Sequence, residues 1–439
     1  MSKRKSITLL SIISVVMAIV IVLTFARFPI GEIKQYNSAL GAIELDYDID
    51  GGTAYTLTLA KDNEEEVEDV DDVISVLEYR LSALGYSAYS VKAVKSTDGD
   101  VLDYDIRIET KSTETLASDI SVVTAFGEVK FFGGTSANPT EEILSDVKVV
   151  SDCKYVGSAS DGTNTYYQVS IDFTDEALDV IMDKIDEAES GEGSFYLEIK
   201  LDETVLLSGS SALDKSYFDG NTLFITSSTE SSAKQMALQM KSGGLAYKYD
   251  VSDAMEVTSP YGENVGTKVA IAVSVFVLLI MIALIVVYKG FGIISALSAL
   301  LFILIETWML IAVPGIVLSL GGVVGIILAT VLLAYGLVIT CERVKEEYSH
   351  SEKTVKAAIN KGFKSSLIPV ISAHVVCGFI AIAILSLTSG VINNFAVTFG
   401  IGIVVSLIAT LVFTRMFTSL IMPLAKNKEK FLNMKKAEV

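Results

Sequence analysis

Two side chains capable of proton chemistry lie inside long apolar stretches of the sequence. Glu306 interrupts one stretch, and His374 lies near the middle of another. A charged side chain at the centre of a membrane costs about 2.5–3.5 kcal/mol on insertion scales, so such residues usually face other helices and mark function. Histidine changes its charge near neutral pH. We therefore predict a proton relay between Glu306 and His374.

A simpler interpretation stays open for both relay residues. Glu306 precedes Val313 by only a few residues, close enough to a membrane surface to remain hydrated. His374 is able to bond a backbone carbonyl or a threonine of a neighbouring helix without any role in coupling.

Six apolar runs are long enough to position these residues in a membrane. A spanning helix needs about 20 mostly apolar residues. The runs are Ile7–Ala26, Val269–Val287, Ile293–Val313, Val317–Thr340, Leu367–Leu387 and Phe395–Leu420. The first run follows basic residues as a signal peptide would, but Phe25–Pro29 is a poor cleavage site, which favours an uncleaved anchor.

The charge distribution predicts the orientation of the chain. The hydrophobic fraction is 51% and the formal net charge is −19, with acidic residues concentrated between residues 27 and 266. Such acidity argues against nucleic-acid binding. Basic residues cluster at Lys3–Lys5, Arg343–Lys364 and Lys426–Lys436, which the positive-inside rule places in the cytoplasm. The acidic domain is then extracytoplasmic, and the chain is a multi-pass protein of the cell membrane.

Four regions follow from this topology. We predict a cytoplasmic N-terminus with the first helix, an extracytoplasmic α+β domain with base and head lobes, five further helices, and a basic cytoplasmic tail. Their boundaries are residues 1–28, 29–265, 266–424 and 425–439.

The acidic domain reads as two sets of strands and helices. Alternating and helical patterns give strand, helix, strand, strand, helix and strand, as in a ferredoxin-like unit. In the first set these are Ala54–Ala60, Val67–Leu84, Tyr89–Val94, Asp103–Thr110, Thr113–Ala125 and Glu128–Phe132. In the second set they are Tyr166–Phe173, Asp175–Glu189, Ser194–Leu201, Thr222–Thr226, Ser231–Lys241 and Leu245–Tyr249. The acidic cluster Asp62–Asp72 lacks the spacing of a calcium loop and reads as a solvated helix start.

No enzymatic or cofactor site is predicted. Cys153, Cys341 and Cys377 have neither disulfide nor metal spacing. His350 and His374 both lie outside the acidic domain, which excludes a histidine-based catalytic site there. The sequence has no nucleotide-binding loop, metal set or catalytic triad, so we predict no enzyme activity, no metal and no cofactor.

Several motifs, in order along nearly the whole chain, resemble the SecD family of the bacterial protein-export machinery. They include Asp48-Ile-Asp-Gly51-Gly52, the helix end Leu77–Gly85 with Arg80, Met240–Leu245, Ser259–Gly262, Glu342-Arg343 with Glu346 and Glu347, Ala357–Lys364, Phe395–Thr398 and Thr414-Arg415. Each motif is weak alone, whereas their order against six spans is specific.

The resemblance implies a fold and partners. The fold is a six-span, resistance-nodulation-type half-bundle of helices in the lipid bilayer plus a mobile α+β extracytoplasmic domain with ferredoxin-like units. That domain would bind an unfolded preprotein leaving the SecYEG channel, while a SecF-like subunit completes the bundle and ion flow drives movement. Glu342 and Arg343 would either anchor the helix at the cytoplasmic border or close an ion path there.

The chain departs from the family at its intramembrane carboxylates. The family's Asp and Asn before the Glu-Arg pair correspond to Tyr335 and Leu337, and its second Asp-Ala-Asn reads Ser372-Ala373-His374. A tyrosine with a pKa of about 10 cannot replace a carboxylate near neutral pH. The family mechanism is therefore altered or lost here, and the resemblance makes Tyr335 a hydrogen-bonding neighbour of the predicted relay, with Ser372 as a further candidate member. Two alternatives to an export subunit are a non-transporting assembly scaffold and a resistance-nodulation-type efflux component.

Overall fold

The computed structural model describes most of the chain as two compact units. One unit comprises Met1–Gly51 with Thr258–Val439, and the other comprises Gly52–Val257. We call them the membrane unit and the α+β unit. The described residues are 3–30, 34–60, 70–86, 88–98, 101–145, 149–160, 165–191, 193–201, 204–245, 247–313, 316–349, 354–388 and 391–434.

The helices of both units follow in chain order. They are α1 (Lys3–Phe25), α2 (Tyr47–Asp50), α3 (Val70–Ala83), α4 (Leu116–Val123), α5 (Asp175–Ser190), α6 (Glu230–Ser242), α7 (Val265–Tyr288), α8 (Gly290–Ala312), α9 (Leu320–Ser349), α10 (Val355–Ser365), α11 (Leu367–Leu387), α12 (Val391–Ile408), α13 (Thr414–Ile421) and α14 (Lys428–Phe431). A π-helical turn, Ala409–Phe413, joins α12 to α13.

Among the described residues, six helical segments are long and apolar enough to cross a membrane. They are α1, α7, α8, α9, α10 with α11, and α12 with α13, which we number spans 1 to 6. This confirms the multi-pass prediction.

Part of the predicted cytoplasmic loop is helical instead. Span 4 continues to Ser349, beyond the predicted end at Thr340, and α10 precedes α11. Thr354 caps α10 by accepting a hydrogen bond from the backbone N–H of Ala357. One face of α10 buries Ala358 and Phe363, so packing stabilises a helix where charge patterning alone indicated a loop.

The α+β unit is built from short antiparallel strands, preceded by a hairpin of the membrane unit. The strands are β1 (Phe28–Ile30), β2 (Lys34–Tyr36), β3 (Gly52–Leu59), β4 (Tyr89–Asp98), β5 (Val101–Thr110), β6 (Val129–Gly134), β7 (Glu141–Ser145), β8 (Val150–Ser160), β9 (Thr165–Phe173), β10 (Phe195–Leu201), β11 (Thr204–Leu207), β12 (Ala212–Leu213), β13 (Phe218–Asp219), β14 (Thr222–Ser227), β15 (Tyr249–Val251) and β16 (Met255–Val257).

The first sheet is ferredoxin-like, but its fourth strand is not the predicted one. β3, β5 and β4 pair in that order, and β15 and β16 pair with the free edge of β3. The predicted fourth strand, Glu128–Phe132, forms β6 in a different sheet. Residues between α4 and β15 are therefore an insertion, and the chain returns to complete the first sheet.

The second predicted set forms two sheets rather than one. Strands β11, β10, β6 and β7 make one sheet, while β13, β14, β9 and β8 make the other. Phe131 in the sheet that contains β6 contacts Phe173 in the sheet that contains β9, with 5.9 Å between ring centroids. Helix α5 is capped by Thr174 and packs its Ile181 and Ile185 into the same core. The fold class, membrane helices plus a sheet-rich α+β unit, is confirmed.

Some predictions fall outside the described residues. Most of the acidic cluster, residues 61–69, is among them, whereas Asp71 and Asp72 lie in the first turn of α3. The connections at residues 314–315 and 389–390, and Lys435 and Lys436 of the tail, also lie outside the described part of the chain. The predicted domain boundaries stay predictions.

Candidate functional site

The carboxyl group of Glu306 is buried in the interior of the membrane unit. Its side chain belongs to span 3 and the residue is 1% exposed. A Cβ atom added at Gly402 of span 6 would lie 2.6 Å from Oε1 of Glu306 and would also collide with Ala329 of span 4. The absence of a side chain at Gly402 therefore makes the space that the carboxyl group occupies, and Glu306 is not hydrated at a membrane surface.

Neither carboxyl oxygen of Glu306 has a hydrogen-bond partner among the described residues. An ionised carboxylate buried in this way would cost several kcal/mol, and the usual relief is to bind a proton. The burial of Glu306 is thus not offset by a hydrogen bond from any described residue.

His374 of span 5 is buried against span 6, one helical turn beyond Gly402. Its Nδ1 lies 2.8 Å from the carbonyl oxygen of Val370, and its Nε2 lies 3.0 Å from Oγ of Ser406. A carbonyl only accepts, so Nδ1 carries the proton, and Nε2 is the nitrogen able to take up another. Gly402 and Ser406 are four residues apart, a rise of about 6 Å along one helix face.

Span 6 carries a stripe of small and hydroxyl side chains that faces the other helices. Its members recur every four residues and are buried: Thr398, Gly402, Ser406, Thr410, Thr414 and Thr418. Thr398 donates to the carbonyl of Gly322, and Thr414 donates to Ser298. Thr410 lies in the π-helical turn, and its hydroxyl has no partner among the described residues. π-helical turns often occur at functional sites.

The structure does not bring Tyr335 and Ser372 to this site. Tyr335 is 43% exposed on span 4, and Ser372 is exposed and bonds the carbonyl of Ile368 in its own helix. Helical periodicity explains the exposure of Tyr335. Leu337, two residues later, is fully buried, and positions two apart do not share a helix face. The prediction of Tyr335 as a hydrogen-bonding neighbour of the buried pair is wrong.

Glu342 and Arg343 lie near the last turns of span 4. Arg343 pairs with Glu346 at 2.7 Å, and Lys345 lies 3.6 Å from Glu342. These pairs are largely exposed, which is typical of an interfacial anchor.

The motif Asp48–Gly52 connects span 1 to the α+β unit. Asp48 accepts a hydrogen bond from the backbone N–H of Leu320, at the start of span 4, with a distance of 2.7 Å. Gly51 has a φ of 86°, a conformation that favours glycine. At Gly52, a Cβ atom would collide with the carbonyl of Thr110. All three residues therefore have a positional role.

Arg80 is fully buried in the α+β unit and joins two helix ends. Its guanidinium donates to the carbonyls of Val123 and Ala125 at the end of α4, and to Ser242 and Gly243 at the end of α6. Cations favour helix C-termini. Burial lowers the pKa of Arg80 to about 10, so it stays charged at neutral pH. Its role here is structural.

The sequence identified Glu306 and His374 but not the residues that receive them. Glycine and serine are common residues in apolar helices, so neither Gly402 nor Ser406 is identified as a site residue by its type alone. The repeat of small and hydroxyl residues every four positions along span 6 is the signal that would have found them.

Residues 239–422 match the family described as protein export membrane protein SecD/SecF, C-terminal. Over 193 residues the chain is 32% identical to the protein translocase subunit SecD of Salmonella choleraesuis, covering 43% of this chain and 30% of that protein. It is 27% identical over 189 residues to SecD of Acidaminococcus fermentans, covering 43% of this chain and 44% of that protein. The matched segments thus span less than half the length of these relatives.

One solved structure shares the fold across both units. The crystal structure of SecDF in its super-membrane-facing form aligns with a TM-score of 0.70 at 21% identity, covering 94% of this chain and 57% of that chain. Both relatives are named as subunits of a protein translocase.

Proposed function

Because this chain is a SecD-type membrane protein, we propose that it is an accessory subunit of the Sec protein translocase, binding preproteins outside the cytoplasmic membrane and assisting their export. The family match over residues 239–422 carries the proposal, since it spans the helix bundle beyond span 1. The α+β unit offers apolar side chains on its surface, such as Val156, Val205 and Tyr217, each at least half exposed. An extended polypeptide is a ligand that such scattered contacts suit.

The charge distribution supports an extracytoplasmic placement of the α+β unit. Most basic residues of the membrane unit lie before span 1, around the connection from span 4 to span 5 and after span 6, whereas Arg27, Lys34 and Lys268 are exceptions on the other side. With six spans, these positions share one side of the membrane, and the acidic unit takes the other.

The partners follow from the same proposal. A six-span half-bundle of the resistance-nodulation type needs a second half, which a SecF-like subunit would supply, and the preprotein would arrive from a SecYEG channel. An efflux component would require a retained intramembrane carboxylate pair. Among the described residues of the spans, Glu306 is the fully buried carboxyl group, which favours the export function.

Ion coupling in this chain would use a different set of residues from the family pattern. Glu306 and His374 are its proton-exchanging groups, with Ser406 as the hydroxyl between span 6 and His374. Glu306 and His374 are both buried against span 6, which supports a relay rather than a scaffold. An unpaired carboxyl group inside a membrane span is destabilising, and such groups usually mark function.

Site-specific photo-crosslinking tests the proposed binding of preproteins. A photoreactive amino acid at Val156, Val205 or Tyr217 is expected to crosslink to a secretory polypeptide arrested in the channel. The same probe at Arg343, also exposed, is the matched control and is expected to give no such product. Equal labelling with and without an arrested polypeptide would exclude the α+β unit as a preprotein-binding surface.

A further inference from the structure

The segment between span 1 and the α+β unit is docked onto the start of span 4. The backbone N–H of Asp46 donates to the carbonyl of Leu318 at 3.0 Å, and the N–H of Leu318 donates to Glu44 at 2.8 Å. We call residues 44–51 the neck. Because the neck ends at Gly51, its docking restrains the chain where it leaves the membrane unit.

Asp48 forms the buried contact of the neck. The residue is 8% exposed, and its Oδ2 accepts the N–H of Leu320. Its backbone carbonyl accepts a hydrogen bond of 2.7 Å from the hydroxyl of Ser259, which precedes span 2. Its Oδ1 is buried without a hydrogen-bond partner among the described residues. The N-terminus of span 4 thus stabilises Oδ2, while the burial of Oδ1 is destabilising because no described residue offers it a hydrogen bond.

A second buried carboxyl group, that of Asp46, interacts electrostatically with Asp48. Asp46 is 2% exposed; its Oδ1 accepts the N–H of Tyr47, and the side-chain amide of Asn394 lies 3.5 Å from its Oδ2. Ser319, Asn393 and Asn394, at the starts of spans 4 and 6, are uncharged. Glu263 and Lys268, at the start of span 2, are exposed.

Burial, followed by the charge of Asp46, raises the pKa of Asp48 from 3.8 to about 6, against the opposing effect of the Leu320 N–H. The negative charge of Asp46 makes ionisation of Asp48 less favourable, so the protonated form of Asp48 is favoured. A proton on the unpartnered Oδ1 would also give that atom a hydrogen to donate.

We propose that Asp48, together with Asp46, forms a proton-binding site, and that proton binding tightens the docking of the neck onto the N-terminal ends of spans 4 and 6. The direction follows from linkage: a carboxyl group whose pKa is raised in the docked state favours docking while it is protonated. Docking is therefore strongest at acidic pH and is lost as the pH rises through about 6.

The site has a meaning for movement that rests on the proposed function. If the α+β unit is extracytoplasmic, Asp48 lies on the side of the membrane from which protons would enter the bundle. Proton binding would then hold the neck, and proton release would free it. The proton-linked docking itself needs no export activity, so its failure is separable from failure of the proposed function.

Hydrogen exchange of the full chain in lipid nanodiscs tests the proposal. Protection is taken relative to the intrinsic exchange rate at each pH, for the amides of residues 44–51 and Leu320. Between pH 5 and pH 8 we expect protection to fall about tenfold, because this range includes only the last pH unit below the pKa of about 6, and each unit corresponds to a factor of ten. Amides of α5 in the α+β unit report whether the chain stays folded.

Three variants separate Asp48 from its neighbours. Asp48→Asn is expected to keep high protection at both pH values, since its amide is uncharged. Asp46→Asn is expected to move the midpoint to lower pH. Asp50→Asn, an exposed carboxyl group in the same short helix, is the matched control and should behave as the natural chain. Protection that is independent of pH in the natural chain, or an unchanged step in Asp48→Asn, would overturn the proposal.

Discussion

Replacing Arg80 by methionine is expected to lower the free energy of unfolding of the α+β unit by about 3–5 kcal/mol. The substitution keeps the apolar stem but removes the guanidinium. The carbonyls of Val123, Ala125 and Gly243 then lose their donor inside the unit, and the ends of α4 and α6 are no longer joined. Each buried carbonyl without a partner costs about 1–3 kcal/mol.

Pulse proteolysis in urea measures this loss in the detergent-solubilised chain. We expect the midpoint of digestion of the α+β unit to fall by about 1–2 M urea, using typical denaturant slopes. Arg107→Met is the matched control, because Arg107 is 39% exposed and pairs with Glu109 on the surface. Its midpoint should change little. Equal midpoints for the two variants would show that the buried contacts of Arg80 are not stabilising.

Replacing Glu306 and His374 together by glutamine is expected to remove proton flow through the bundle. Glutamine matches a protonated glutamate in size and cannot release a proton, so the packing against Gly402 is kept while the chemistry is lost. General acid–base groups typically contribute about 10²–10⁴-fold to a rate. We therefore expect at least a hundredfold slower proton flux, roughly the lower end of that range.

A pH-sensitive dye in membrane vesicles that contain the assembled translocase measures this flux. Tyr335→Phe and Ser372→Ala are the matched controls, because both side chains lie on exposed helix faces. We expect their flux to equal that of the natural chain. If the double glutamine variant transports protons normally, the relay is excluded; if Tyr335→Phe abolishes flux, the family position has kept its role.

The membrane helices were predictable because the length of an apolar run is a local property. Span 5 was placed at Leu367–Leu387, the observed bounds of α11. The amphipathic α10 was missed because its apolar residues are few and its stability comes from packing on span 4. Gly362 of α10 leaves room for the backbone of Val344, a contact that no local pattern reveals.

The sheet topology was less predictable because strand pairing is not local. Strand β3 pairs with β15, for example Thr58 with Asp250, across the whole inserted lobe. The sequence offered β6 as the next strand after α4, and nothing in its alternation distinguishes it from a fourth strand of the first sheet. The tight approach of Gly244 to Gly127 marks where the chain returns from the insertion.

The resemblance to the SecD family identified Arg80 and Asp48, but it did not reveal their structural roles. Arg80 was identified by resemblance, yet its function as a link between two helix ends depends on Ser242 and Gly243, far along the chain. Asp48 was likewise identified, whereas its contact with Leu320 joins segments that the sequence separates widely. The sequence indicates which residues are candidates for a role, but it does not indicate which distant residues they contact in the folded chain.

A pulse-chase secretion assay tests the central claim most directly. In a strain that lacks only this chain, newly made secretory proteins are followed from precursor to mature form. We expect precursors to persist longer in this strain, and export to recover with the natural chain but not with the double glutamine variant of Glu306 and His374. Precursor processing at the normal rate in the deletion strain would contradict a role in protein export.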